Sequence, residues 1–138
     1  MATKTNLIHL GLLILRIGIG IAFFFHGLPK IMGGTEAWTG IGSTMSIFGI
    51  TFLPTFWGFM AVMAETVGGL LLALGLFFRP AALLLIINMI VALSMHLHAG
   101  DSFMVYSHAL EALIIFISLF ISGAGKYSFD NKYFKKIA

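Results

Sequence analysis

Four side chains that could do chemistry stand where such groups are costly. Arg16, Glu65, Asn88 and Glu111 each fall near the middle of a long apolar run. Arginine is permanently charged, and its planar fork of donors suits carboxylates. Two carboxylates share that one arginine, so one of them is expected to hold a proton, as a proton-handling centre requires. A lone ionised group at the middle of a bilayer costs about 2.5–3.5 kcal/mol on insertion scales. The three ionisable groups and the amide are therefore expected to face one another inside a bundle. Two readings of such a layer stand: a satisfied polar clasp that fixes helix register, and a centre that handles protons or binds a ligand. Ionisable groups within a membrane usually mark function, which favours the second.

Histidines form a second group. His26, His96, His98 and His108 map to one end of the apolar runs, and His9 maps to the other. On a regular helix His96 and His98 point roughly 200° apart and cannot both face one centre. His108 and Glu111 are three apart and share a face. A metal or haem site built from His26, one of His96 and His98, and His108 lacks the His-x-x-x-His or Glu-x-x-His spacing of helical metal sites, so no metal is expected. Contact with a quinone or another substrate, and plain interfacial hydrogen bonding, are the readings left for these rings. The sequence has no cysteine, which excludes disulfides, thiol redox chemistry and sulfur ligation.

The elements that must position these groups are transmembrane helices. Hydrophobic residues make up 59% of the 138-residue chain and charged residues 9%, and the mean hydropathy is +1.04. A soluble domain carries about 25% charged residues. The length allows one domain, residues 1–138. Four runs are long enough to cross a hydrocarbon core of about 30 Å: roughly 7–25, 56–78, 81–98 and 103–122. Gly27 and Pro29 are expected to close the first, Arg79-Pro80 to turn into the third, and Gly100-Asp101-Ser102 to link the third and fourth. The first run is longer than a signal-peptide core and no small-residue cleavage pattern follows it, so it reads as a retained helix. Small residues support close packing of the layer: Ala61 and Gly69 flank Glu65, and Gly20 follows Arg16 at i+4. Ser118 and Ser122 continue the Glu111 face.

The fold class is thus an all-α integral membrane four-helix bundle with both termini on one side. That side holds Lys4, Arg79, Lys126, Lys132, Lys135 and Lys136, against Lys30 alone on the other. The bias makes it cytoplasmic: N-in, C-in, in the cell's inner (cytoplasmic) membrane. The net charge of +3 suits an anionic lipid surface rather than nucleic acid. In the long outer loop Thr35 is a candidate N-cap, and Trp38, Ile41, Met45 and Phe48 recur at helical spacing. They predict a short interfacial helix anchored by Trp38, or alternatively a loop folded over the bundle mouth.

The residues also resemble a family. Arg16-Ile17-Gly18 followed by Phe23-Phe24-Phe25-His26-Gly27-Leu28-Pro29-Lys30 is similar to the first-helix signature of the DoxX family. Ala64-Glu65, Gly68-Gly69-Leu70-Leu71-Leu72 and Arg79-Pro80-Ala81-Ala82 resemble its second block. The tail Gly123–Asp130 looks like the family ending Gly-Pro-Gly-Arg-Tyr-Ser-Leu-Asp, with Ala124, Lys126 and Phe129 as departures. The resemblance implies a four-helix membrane bundle and marks Arg16, His26, Lys30, Glu65, Glu111 and the Lys126–Asp130 tail as family positions. It also implies a redox setting, since family members include the membrane subunit of a thiosulfate:quinone oxidoreductase and a membrane partner of soluble redox enzymes.

Taken together, these readings lead to the membrane subunit of an oxidoreductase system that binds a quinone or another lipophilic ligand beside the Arg16/Glu65/Glu111 layer. Asn88, His26, Lys30, His96 and His108 complete the candidate set. Quinone reduction needs an apolar slot, hydrogen-bond partners for two oxygens and protons that can be resupplied. Electrons would come from soluble redox protein subunits, since no haem or iron–sulfur ligand set is evident. The expected partners are membrane lipid and those subunits, and the chain is compatible with an oligomer. The alternative is a non-catalytic membrane scaffold or assembly factor for partner redox proteins, using the outer loop and the basic tail. A proton-coupled carrier is disfavoured by the missing internal repeat.

Overall fold

The computed structural model describes residues 3–134, and no strand occurs among them. Lys135 and Lys136, counted above in the charge bias, lie outside the described residues. Four helices are long and apolar enough to cross a membrane: α1 (Lys4–Met32), α3 (Pro54–Leu74), α4 (Phe78–Ala99) and α5 (Phe103–Ser122). Between the first two, α2 (Gly34–Gly42) runs into a 3-10 turn over Ser43–Phe48, and the short α6 (Phe129–Tyr133) ends the described chain.

Two boundaries differ from expectation for local reasons. α1 does not close at Gly27 and Pro29 but continues to Met32. Pro29 falls in its last turn, where Gly33 N–H donates back to the Pro29 carbonyl at 3.0 Å. The Lys30 carbonyl, otherwise an orphan of the helix end, accepts from Trp38 Nε1 at 2.9 Å. α3 stops at Leu74 rather than Phe78, because Gly75 and Phe77 both take left-handed backbone and Phe78 already opens α4. A left-handed phenylalanine is unfavourable. It is held by Asp130, whose carboxylate accepts from Phe77 N at 2.8 Å and from Phe78 N at 2.8 Å. Asp130 is thus a remote N-cap of α4.

α2 was expected from Thr35 onward, but Thr35 does not cap it: the N-cap position is Gly33, with no side-chain bond. The helix folds back over the bundle and packs on α3. Contact is backbone on backbone, since a Cβ on Gly42 would collide with the Pro54 carbonyl and one on Gly58 with the Trp38 carbonyl. Trp38 packs its ring against Phe59, with centroids 5.2 Å apart.

The spanning helices pack in the order α1–α3–α4–α5. Lipid tails are as apolar as leucine, so close van der Waals contact holds such helices together. α1 and α3 achieve it at glycine: a Cβ on Gly20 would lie 2.6 Å from the Gly69 carbonyl, and one on Gly27 would strike the Thr66 side chain. These two contacts fix the register of α1 against α3. α1 and α5 meet through large side chains, with Phe23 set edge-on to Phe116 at 4.8 Å. Phe23, Leu72, Phe78, Leu85, Phe116 and Leu119 form the centre of the core.

Candidate functional site

The α1/α3 register decides which cation meets Glu65. Gly27 lies level with Thr66, so Lys30, one turn further along α1, comes level with the turn that carries Glu65. Its Nζ lies 2.6 Å from Glu65 Oε2. From α4, Asn88 Nδ2 donates to Glu65 Oε1 at 3.0 Å. Glu65 itself is buried at 6% exposure, so both carboxylate oxygens are satisfied by groups from two other helices. Thr66 turns its hydroxyl back onto the Val62 carbonyl at 2.5 Å, so the polar group beside Gly27 is satisfied within its own helix.

This pair forms part of the wall of a cavity of about 620 Å³, within the range of small-molecule sites. Lys30, Glu65 and Asn88 supply its polar groups, and His26, His96 and His108 also line it. Phe23, Trp57, Met60 and Met89 make much of the apolar lining, and Ile41, Thr44 and Met45 form a roof from the α2–3-10 segment. The His26 and His108 rings lie 5.2 Å apart, and Phe23 stacks on His108 at 6.2 Å. His96 Nδ1 is 2.7 Å from an Asp101 carboxylate oxygen. With Asp101 accepting from Nδ1–H, the Nε2 atom becomes the basic nitrogen of a cavity-lining ring. Lysine carries three N–H donors and Glu65 takes one of Lys30's, so a ligand oxygen could share this ammonium.

Six of the eight candidates therefore line one cavity, and two do not. The expected Arg16/Glu65/Glu111 layer is not formed. Arg16 lies one turn before Gly20, level with the end of α3. Its guanidinium donates to the Ala73 carbonyl at 2.9 Å and to the Tyr127 carbonyl. The carbonyls of a helix C-terminus lack intrahelical partners and carry partial negative charge, which suits a buried cation. Midpoint depth in each run suggested the layer, but the helices are offset by their glycine contacts. Lys30 takes the place that arginine was expected to fill. Glu111 is exposed on the outside of α5 and has no partner among the described residues, and Ser118 and Ser122 on the same helix are also exposed. His98 is exposed and lies off the cavity, while His9 Nδ1 accepts from Lys126 N at 3.3 Å at the far end.

Sequence reading missed Asp101 and Trp57. Asp101 lies five residues from His96 across the Gly100 turn, so a helical-face count does not pair them. Trp57 lines the cavity, yet its Nε1–H is buried without a partner among the described residues; no spacing signal distinguishes it from an interfacial tryptophan. No group of three histidines and carboxylates among the described residues converges in a way that could hold a metal.

Comparison with known proteins covers most of this site. A protein of Haemophilus influenzae with no assigned function is 33% identical over 133 residues, which span 88% of this chain and 90% of that protein. A Bacillus subtilis protein named "Putative oxidoreductase CatD" is 34% identical over 84 residues, 61% of this chain and 58% of that protein. No solved structure matches. The family model for DoxX matches residues 11–99, from the first turns of α1 to the end of α4, and so includes Lys30, Glu65, Asn88 and His96. The chain belongs to the DoxX family.

Proposed function

We propose that the chain is the membrane subunit of an oxidoreductase system and binds the head of a quinone in the cavity beside Glu65. One observation carries the reading: an apolar cavity of about 620 Å³ with the buried Glu65 carboxylate, held by Lys30 and Asn88, in its wall. A quinone ring offers two carbonyl oxygens and no donor, so it calls for N–H donors in an otherwise apolar slot. The Lys30 ammonium and the Asn88 amide are such donors. Reduction to the quinol takes two electrons and two protons. A soluble redox partner subunit supplies the electrons in this reading, and Lys30 and the His26/His108 and His96–Asp101 groups relay the protons. The relative named as an oxidoreductase supports the class of reaction. Positive charge at the other end supports an orientation with the termini in the cytoplasm and the cavity end outward.

The test is direct binding. Trp57 lines the cavity, and quinones quench tryptophan emission on contact. Purified protein in detergent, titrated with 2-methyl-1,4-naphthoquinone, should show saturable quenching that weakens about tenfold in Lys30→Met. Quenching that never saturates, or that Lys30→Met leaves unchanged, would leave the scaffold role as the better account.

A further inference from the structure

The cavity is not sealed from the flank of the bundle. Phe56 and Met60 on α3, and Leu84 and Ile87 on α4, line it. The same four side chains are 48%, 42%, 44% and 52% exposed. Residues that line an internal cavity and also face outward mark a mouth. Phe56 and Met60 are four apart and Leu84 and Ile87 three apart, so each pair forms one edge of it.

The mouth is bounded above and below. Toward the termini, the turn between α3 and α4 is pinned by Asp130. At the other end the 3-10 segment packs on both helices, with the Thr44 hydroxyl 3.8 Å from Met95 Sδ. The gap between these closures therefore opens sideways. Phe56 and Met60 lie about 3 and 9 Å along α3 from its Pro54 end, and Ile87 and Leu84 about 18 and 22 Å along α4 from its Ala99 end, so the slot slants across the two helices. In a hydrocarbon core of about 30 Å, a mouth at that depth faces acyl chains rather than water. All four edge residues are apolar, while Lys30, Glu65 and Asn88 stand inside, so polarity rises inward. Met60 adds an unbranched, adaptable side chain at the edge.

We infer that the ligand is a lipid-borne amphiphile that enters sideways between α3 and α4, ring head first, and leaves its apolar chain in the slot between Phe56, Met60, Leu84 and Ile87. The inference rests on the reading that the cavity holds a quinone head, and it adds the class of ligand, a chain-bearing quinone, and its route. A water-borne ligand of the same head chemistry has no need of this slot.

Two measurements test it. A naphthoquinone carrying a ten-carbon chain with a terminal diazirine is irradiated with the protein in vesicles. Labelling should fall on Phe56, Met60, Leu84 or Ile87, and excess 2-methyl-1,4-naphthoquinone should remove it. Labelling on α1 and α5 around His26 and Val105 instead would place the chain elsewhere and overturn the inference. Labelling of the slot that survives the competitor would show that the chain partitions there as any lipid does, and would also overturn it. The second measurement compares Ile87→Phe with the parent by tryptophan quenching. The variant should bind the ten-carbon compound about tenfold more weakly and the chainless compound within about twofold. Equal loss for both compounds, or loss for neither, would count against the slot. Absence of any saturable quenching by the chainless compound in the parent sinks the quinone-head reading itself, an outcome separate from failure of the slot.

Discussion

Glu65 is held by donors from two helices, and removing its charge affects both. Glu65→Gln keeps the shape and one carbonyl oxygen, but sets an amide against the Lys30 ammonium and can clash donor to donor with Asn88. Hydrogen bonds to charged groups contribute about 1.5–3 kcal/mol, and the Lys30 side chain is 38% exposed, so the lower part of that range applies. The expected result is a clear fall in the thermal midpoint of the detergent-solubilised protein. Glu111→Gln should cause no loss, because Glu111 is exposed and unpartnered among the described residues. Equal losses in the two variants would mean that Glu111 is buried in the native membrane assembly. The contrast matters because residue type alone made the two glutamates equivalent. Their difference lies in which face of its helix each occupies.

At the scale of elements, register is the decisive quantity. Gly20 and Gly69 let α1 and α3 touch through their backbones, and a Cβ on Gly69 would lie 2.7 Å from the Gly20 carbonyl. Backbone cannot move aside as a flexible side chain can. Gly69→Val should therefore push the helices apart, cost about 1–3 kcal/mol, and weaken naphthoquinone quenching by drawing Lys30 away from Glu65. Gly11→Ala, with open space around its Cβ, is the control that should change neither readout. The four spans were legible in the sequence because each needs only an apolar run of about 20 residues. Gly20 and Gly69 were legible as close-approach glycines too, whereas Gly27 was expected only to end α1. Which glycine meets which was not, since pairing is a property of two helices and no single-helix pattern encodes it. Aligning the runs at their midpoints put Arg16 opposite Glu65; the glycine contacts put Lys30 there. The same limit hid Asp101, whose partnership with His96 depends on the path of the Gly100 turn.

At the scale of the whole molecule the two ends differ in kind. The end away from the termini holds the cavity under its α2–3-10 roof, while the end carrying the termini is tied shut by the chain after α5. Asp130 caps α4, its own N–H donates to the Gly75 carbonyl at 2.9 Å, and Arg16 reaches both the end of α3 and the Tyr127 carbonyl. The described tail is thus a knot joining α1, α3, α4 and α5. Its orientation can be read directly, because the chain has no native cysteine. A cysteine introduced as Gly40→Cys should react with an impermeant maleimide on intact cells, and Lys132→Cys only after permeabilisation. The reverse pattern would turn the proposed topology over.

The knot and the cavity should also be energetically separate, and a mutant cycle shows whether they are. Asp130→Ala strips the partners from Phe77 N–H and Phe78 N–H, two donors near the apolar interior, and loss of a helix cap costs about 0.5–2 kcal/mol. Arg16→Met removes the cation that holds the Ala73 and Tyr127 carbonyls, and so loosens the segment that presents Asp130. Each variant weakens the same junction, so the double variant should lose less than the sum of the singles, with a coupling of about 0.5 kcal/mol or more. Asp130→Ala combined with Glu65→Gln should instead add within about 0.5 kcal/mol, since the two sites share no partner and Glu65 lies roughly 14 Å along α3 from the Leu74 end that Asp130 ties. The binding readout sharpens the distinction. Asp130→Ala should leave naphthoquinone quenching unchanged at temperatures where the protein is folded, because none of its partners lines the cavity. Additivity between Arg16 and Asp130, or loss of quenching in Asp130→Ala alone, would mean that the tail acts on the cavity rather than only closing the far end of the bundle.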